Sequence, residues 1–192
     1  EIVRGPRASY YGSDAIGGVI AITTRERDGA AGLLRLGSYG RVDAAAAYGA
    51  SNERGAFSVQ VGAEEYDGLS ASLPGAFGYD PDDDGYSHRN LGLRGRHELG
   101  SQRLSFSGLA TEQDVDFDQG VTDVRQHATA LTIEGPLSVA WTHRFTLGGA
   151  RDDLDTPAYF AQFSTRRENL DWVHDLALGQ AQHLVFGVNA QH

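Results

Sequence analysis

The sequence predicts an all-β chain, an antiparallel up-and-down meander of the kind that builds a transmembrane β-barrel. Three observations carry that expectation. Apolar and polar residues alternate with period two from about residue 30 onward. The alternating stretches run to ten or so residues, beyond the usual five or six of a soluble sheet. The connections between them alternate between short and long.

Taken in order, the alternation is clearest at Phe57, Val59, Val61 and Ala63, which interleave with Ser58, Gln60, Gly62 and Glu64. It returns at Val139, Trp141, His143, Phe145 and Leu147, at Leu170, Trp172, His174, Leu176 and Leu178, and at Leu184, Phe186, Val188 and Ala190. Helical spacing fits none of these as well. Breakers divide the region into about nine strands, placed near 30–37, 41–51, 55–66, 86–99, 102–114, 124–135, 138–150, 164–178 and 181–192. Short turns fall at Asn52-Glu53-Arg54, Gly100-Ser101, Gly135-Pro136-Leu137 and Gly179-Gln180, and long connections at 67–85, 115–123 and 151–163. The connection at Ser38-Tyr39-Gly40 is short where the scheme wants a long one.

Successive turns of a meander fall on opposite rims, so this alternation means one rim of tight turns and one of large loops. Outer-membrane barrels are built that way. A soluble sandwich has no reason to sort its loops by parity. The composition agrees: 40% of residues are hydrophobic and no apolar run approaches the roughly 20 residues of a membrane helix. Barrel strands, being apolar on one face only, need no such run.

Charge and composition exclude other classes. The chain of 192 residues carries 26 acidic and 16 basic residues, a net charge of −10. All the basic residues are Arg and they are scattered, so the basic stripe that nucleic-acid binding requires is missing. Without Cys there is no disulfide framework, thiolate metal site or cysteine nucleophile. The opening at Glu1-Ile2-Val3-Arg4, with no Met anywhere, reads as an internal piece of something longer.

Residues 1–25 do not share the barrel pattern. Gly5-Pro6 stops a short strand, Gly12 and Gly17-Gly18 allow tight turns or close approach, and Val19-Ile20-Ala21-Ile22 suits a buried strand. Val3-Arg4-Gly5-Pro6, Tyr11-Gly12, Ala15 through Ile20 and Ile22-Thr23 together resemble the C-terminal end of the plug domain of TonB-dependent outer-membrane receptors, with Ala21 where that pattern has Asn. The resemblance implies a plug end at 1–25 and, over 26–192, about nine strands of a barrel of about 22 strands. It further implies nutrient import across the outer membrane of a Gram-negative bacterium. TonB would supply the energy through a segment upstream of Glu1. Nine strands cannot close such a ring, so the piece is not expected to fold alone.

Acidic residues concentrate in the expected long loops. Asp80-Pro81-Asp82-Asp83-Asp84-Gly85 fits the opening of an EF-hand calcium loop, where alternate carboxylates converge on one hard cation. The twelfth position is Leu91 rather than Glu, and the context is strands, not helices. From the residues alone a calcium-type loop and a solvated acidic turn both stay open. Tyr66-Asp67, Asp82-Asp83-Asp84-Gly85-Tyr86, Phe117-Asp118 and Asp123-Val124-Arg125 also resemble, in order, the loop pattern of the cobalamin (vitamin B12) receptors of the BtuB type, with Phe117 where that pattern has Tyr. That resemblance implies cobalamin as substrate. It also implies Asp67, Asp80, Asp82, Asp84, Asp118 and Asp123 as ligands for one or two Ca²⁺ that order the extracellular loops. Asp83, Asp114 and Asp116 are expected to be solvated or one layer removed from the ion.

No catalytic constellation emerges. His88, His97, His127, His143, His174, His183 and His192 are scattered along strands and read as lumen-facing or interfacial polar residues. Trp141 and Trp172 suit either a membrane girdle or packed core. Two other readings stay open: a siderophore or other nutrient importer of the same family, and a small complete barrel or soluble β-rich binding module. An acidic, calcium-ordered vestibule suits a near-neutral corrinoid better than an anionic siderophore.

Overall fold

The computed structural model describes residues 2–4, 17–20, 28–70, 72–179 and 182–192. Of the plug-like motif, residues 5–16 and 21–25 lie outside the described residues. Two short strands from it, β1 (Ile2–Arg4) and β2 (Gly18–Ile20), pair antiparallel with each other. They form a sheet separate from the rest.

The remaining nine strands form one antiparallel sheet in strict sequence order. They are β3 (Gly29–Leu36), β4 (Val42–Asn52), β5 (Gly55–Leu69), β6 (Asp84–Leu99), β7 (Gln102–Phe117), β8 (Gly120–Ser138), β9 (Trp141–Thr156), β10 (Ala161–Ala177) and β11 (His183–Gln191). Each pairs with its neighbours in the chain, and β3 and β11 are the open edges. The all-β meander and its nine strands are as the alternation implies.

Three connections differ from the sequence reading. The segments 115–123 and 151–163 are not long loops. β7 and β8 run on to a two-residue turn at Asp118-Gln119, and β9 and β10 to a single 3₁₀ turn at Pro157–Tyr159. Acidic residues crowd these extensions, and Gly120 and Pro157 fall within them, which reads as loop although the backbone ladder continues. The turn expected at Gly135-Pro136-Leu137 lies instead at Val139-Ala140. A register irregularity between Pro136 and Ser138 accommodates the proline, which has no N–H to give the ladder. Val139 is therefore a fully exposed turn residue rather than a member of the apolar face.

Register assembles the apolar sets into one face. Phe57 lies opposite Gly95, then Phe106, Leu131, Leu147, Leu170 and Ala190 follow on successive strands. Among the described residues no large side chain is fully buried, and Val61, Leu93, Phe106, Leu131 and Leu147 are each 40–48% exposed. Nine strands about 4.8 Å apart and a band about 20 Å tall make this face on the order of 800 Å². That exceeds the few hundred Å² a soluble monomer ordinarily leaves bare.

The band runs obliquely across the strands. On the long-hairpin side the first charged or titratable groups beyond it are Glu65, Arg89, Glu112, His127, Arg151 and Glu168 on β5 to β10. The row of partners starting at Glu65 passes through Ser87, Asp114, Asp123 and Asp155 to Gln162. Glu168 lies six residues further down β10 than Gln162. Six residues over five strands, at about 3.3 Å and 4.8 Å per step, is a tilt of about 40° between the strands and the normal to the band. Membrane barrels tilt their strands by about 35–45°.

Aromatic and imidazole rings line the other edge of the band. Trp141 Nε1–H donates to His174 Nδ1 at 3.1 Å and Trp172 Nε1–H to His143 Nδ1 at 3.4 Å. An imidazole that accepts at Nδ1 carries its proton on Nε2. His143 is thereby placed to donate from Nε2 to Gln102 Oε1, 3.0 Å away. His174 stacks on Phe186 at 4.9 Å and is 8% exposed. Polar ring edges on the apolar face thus find partners within the sheet.

Candidate metal-binding site

The acidic residues gather where β5 to β8 rise beyond the band. A bulge between Tyr66 and Leu69 breaks the β5–β6 register, with Gly68 at φ +83° against the Asp84 carbonyl. A Cβ on Gly68 would sit 2.1 Å from that oxygen, so the close approach requires glycine. The loop after Leu69 then delivers Asp82 and Asp84, and the tight β7–β8 turn delivers Asp118. Carboxylate oxygens of Asp82, Asp84 and Asp118 all lie within 4.8 Å of one another. Asp118 Oδ1 is buried and accepts no hydrogen bond among the described residues. The turn is braced from beyond: Phe117 stacks on Tyr159 at 5.8 Å, and the Tyr159 hydroxyl donates to Gln119 Oε1.

A second acidic group lies lower on the same hairpins, on the face continuous with the apolar band. Asp67, Asp114, Asp116 and Asp123 line one shallow hollow with Glu65. Asp114 lies directly opposite Asp123, and Asp123 directly opposite Asp155. Like charges in register repel. A hydrogen bond with Asp114, then partial desolvation and the Asp114 charge, hold the Asp123 carboxyl above the usual range. Ser87 Oγ donates to Asp114 at 3.2 Å.

The six residues singled out in the sequence are therefore divided. Asp82, Asp84 and Asp118 converge at the hairpin tips, while Asp67 and Asp123 belong to the outer-face group. Asp80 is exposed, and its main-chain carbonyl accepts from Ser70 Oγ at 3.1 Å. Asp114 and Asp116, expected to be peripheral, share the hollow of Asp67 and Asp123. Strand register brings them there, and no local motif announces it.

Three carboxylates from two chain segments, one with a buried bare oxygen, fit a hard cation that takes 6–8 oxygen ligands. No family model matches the chain. It is, however, 32% identical over 179 residues, 89% of its length, to the vitamin B12 transporter BtuB of Photobacterium profundum. The chain is BtuB-like. A second protein of that name, from Vibrio vulnificus, is 32% identical over 72% of the chain, and one from Vibrio cholerae is 31% identical over 66%. The chain spans between 22% and 27% of the length of these relatives. Their shared name describes transport, and a receptor segment agrees with a sheet that has one bare apolar face and two open edges.

Proposed function

We propose that this chain is part of an outer-membrane active transporter for cobalamin, with no enzymatic role of its own. Residues 26–192 supply consecutive barrel strands and residues 1–25 the end of a plug domain. The observation that carries the reading is the likeness to vitamin B12 transporters over 89% of the chain. The oblique apolar band supports a lipid-embedded sheet, because a bilayer relieves so large a bare face and the tilt is that of a membrane barrel. On this reading the band faces lipid and the long-hairpin rim is extracellular. TonB would couple through the part of the receptor upstream of Glu1.

Calcium is the second part of the proposal. Asp82, Asp84 and Asp118 would hold an ion at the hairpin tips, and Asp67 and Asp123, with Asp114 and Asp116 beside them, one on the outer face. When bound, the ion supplies positive charge that cancels carboxylate repulsion. The residues themselves then do the rest: the tips of β5–β6 and β7–β8 are drawn together and their loops ordered. A vestibule ordered beforehand lowers the entropy that a bulky corrinoid must lose on binding.

The experiment is uptake of radiolabelled cobalamin by cells lacking their own receptor and carrying the full-length gene, with and without a calcium chelator and with TonB deleted. Uptake that needs TonB and falls under chelation is expected. Uptake of a ferric siderophore and not cobalamin would move the substrate to the other importer class. Chelation without effect would remove calcium.

A further inference from the structure

The face opposite the apolar band carries an apolar island of its own just beneath the long-hairpin rim. Val115 and Phe117 on β7, Val124 on β8, Leu154 on β9 and Phe163 on β10 each stand an odd number of residues from the band residues Phe106, Leu131, Leu147 and Leu170. Successive side chains of a strand alternate faces, so all five point away from the band. Register gathers them: Val124 lies opposite Leu154, and Leu154 opposite Phe163. Tyr159 joins from the 3₁₀ turn by stacking on Phe117. Phe163 and Tyr159 are nevertheless 65% and 57% exposed, so much of each ring is bare.

The surround of the island is polar and rich in carboxamides. The row below it on the same face is Asn90, Thr111, Gln126, Asp152 and Thr165. Thr111 Oγ–H donates to Gln126 Oε1 at 3.3 Å, and Gln126 Nε2–H donates to Asp152 Oδ1 at 3.0 Å. Gln113 lies directly opposite Val124, and Gln119 Oε1 accepts from the Tyr159 hydroxyl. No member of the island is charged. Its position opposite the band removes lipid as the cover for the bare rings, because the two faces of one sheet meet different surroundings.

We propose that this island is the barrel wall's contact for the corrin ring of cobalamin. A methyl-studded macrocycle face would lie on Phe163 and Tyr159, and the carboxamide arms at its edge would meet Gln113, Gln119 and Gln126. The inference rests on the cobalamin reading above and assigns residues to it. Ligand sites are mostly apolar with a few placed polar groups. Amide partners fix orientation without charge, and each Gln amide offers both donors and an acceptor. An anionic siderophore would find no cation on the island, so the same residues favour the near-neutral substrate.

The test is equilibrium binding of cyanocobalamin to the purified full-length receptor with calcium present throughout, beside hydroxyl-radical footprinting of the wild-type protein. Phe163→Ala is expected to weaken binding by about tenfold, the loss of one aromatic anchor. Phe163→Tyr, which keeps the ring, restores it. Leu109→Ser, on the same face but lower on β7, leaves affinity unchanged. In the footprint Tyr159 and Phe163 lose reactivity when cobalamin binds, while Val139 at the opposite rim does not. Unchanged affinity in Phe163→Ala, an equal loss in Leu109→Ser, or rings as reactive with cobalamin as without it would overturn the inference and leave cobalamin binding intact. A lowered melting temperature in Phe163→Ala with unchanged affinity would assign the island to packing within the receptor and overturn it as well. A wild-type receptor that binds no cobalamin overturns the underlying reading and the inference with it.

Discussion

At the tight-turn edge of the band, Trp141, His143, Trp172 and His174 pair their ring polar atoms within the sheet and stack against one another. At the long-hairpin rim, Asp114, Asp123 and Asp155 stand in register with like charges facing, and Asp118 keeps a buried oxygen that accepts no hydrogen bond among the described residues. One edge is complete with the groups the chain supplies. The other gains from something added, a proton or a cation. Between two rims of one meander, the difference lies in solvent. Half-buried rings must satisfy their polar edges internally, while carboxylates in water can stay mismatched.

The largest expected effect tests the band that separates the two. Leu131→Arg, on the apolar face, should cost about 2–4 kcal/mol of folding free energy in lipid vesicles. Ser105→Arg, on the opposite face, should cost well under half of that. Equal costs in urea titrations of the full receptor would mean that the apolar face does not meet lipid.

Next in size is the metal contrast. Asp118→Asn should lower calcium affinity at the tips by about tenfold or more, with amide protection of 117–120 no longer responding to calcium. His174→Ala should leave calcium binding unchanged and instead lower stability by about 1–2 kcal/mol, from one lost hydrogen bond and lost ring stacking. A calcium defect in His174→Ala would couple the rims and break the comparison.

The smallest effect is in pH, and two carboxylates on neighbouring strands should respond with opposite sign. Hydrogen bonds from Arg151 and Ser164, then the Arg151 charge, hold Asp153 below the usual carboxylate range. Its contribution is present above the ordinary carboxylate pKa and is lost as pH falls through the depressed value. Asp123, held high by Asp114, contributes below its ordinary pKa, and that contribution is lost as pH rises through the raised value. Metal-free protein should therefore gain protection at 114–123 on mild acidification and lose it at 153–164 on stronger acidification. Asp123→Asn and Asp153→Asn should each flatten their own response, and responses of the same sign would contradict the assignment.

Much of this is legible without coordinates. Alternation locates the nine strands because one face of each is the more apolar. It is overridden beyond the band, at 115–123 and 151–163, where crowded carboxylates, Gly120 and Pro157 read as loop although the ladder continues. Pro136 reads as a turn because a central strand rarely holds proline, and here a register irregularity absorbs it. Within the site, the run at 80–85 marks an acidic loop, and Asp82 and Asp84 do converge with Asp118.

What the amino-acid order determined by itself is local: which stretches are strands, which residues share a face, and where carboxylates crowd along the chain. Which carboxylates meet was decided by register between strands, since a single-residue slip would send Asp114 and Asp123 to opposite faces. The tilt of the band likewise exists only once neighbouring strands are aligned. Hydrogen-bonded pairing is a non-local choice, and no spacing along one strand encodes the offset of the next.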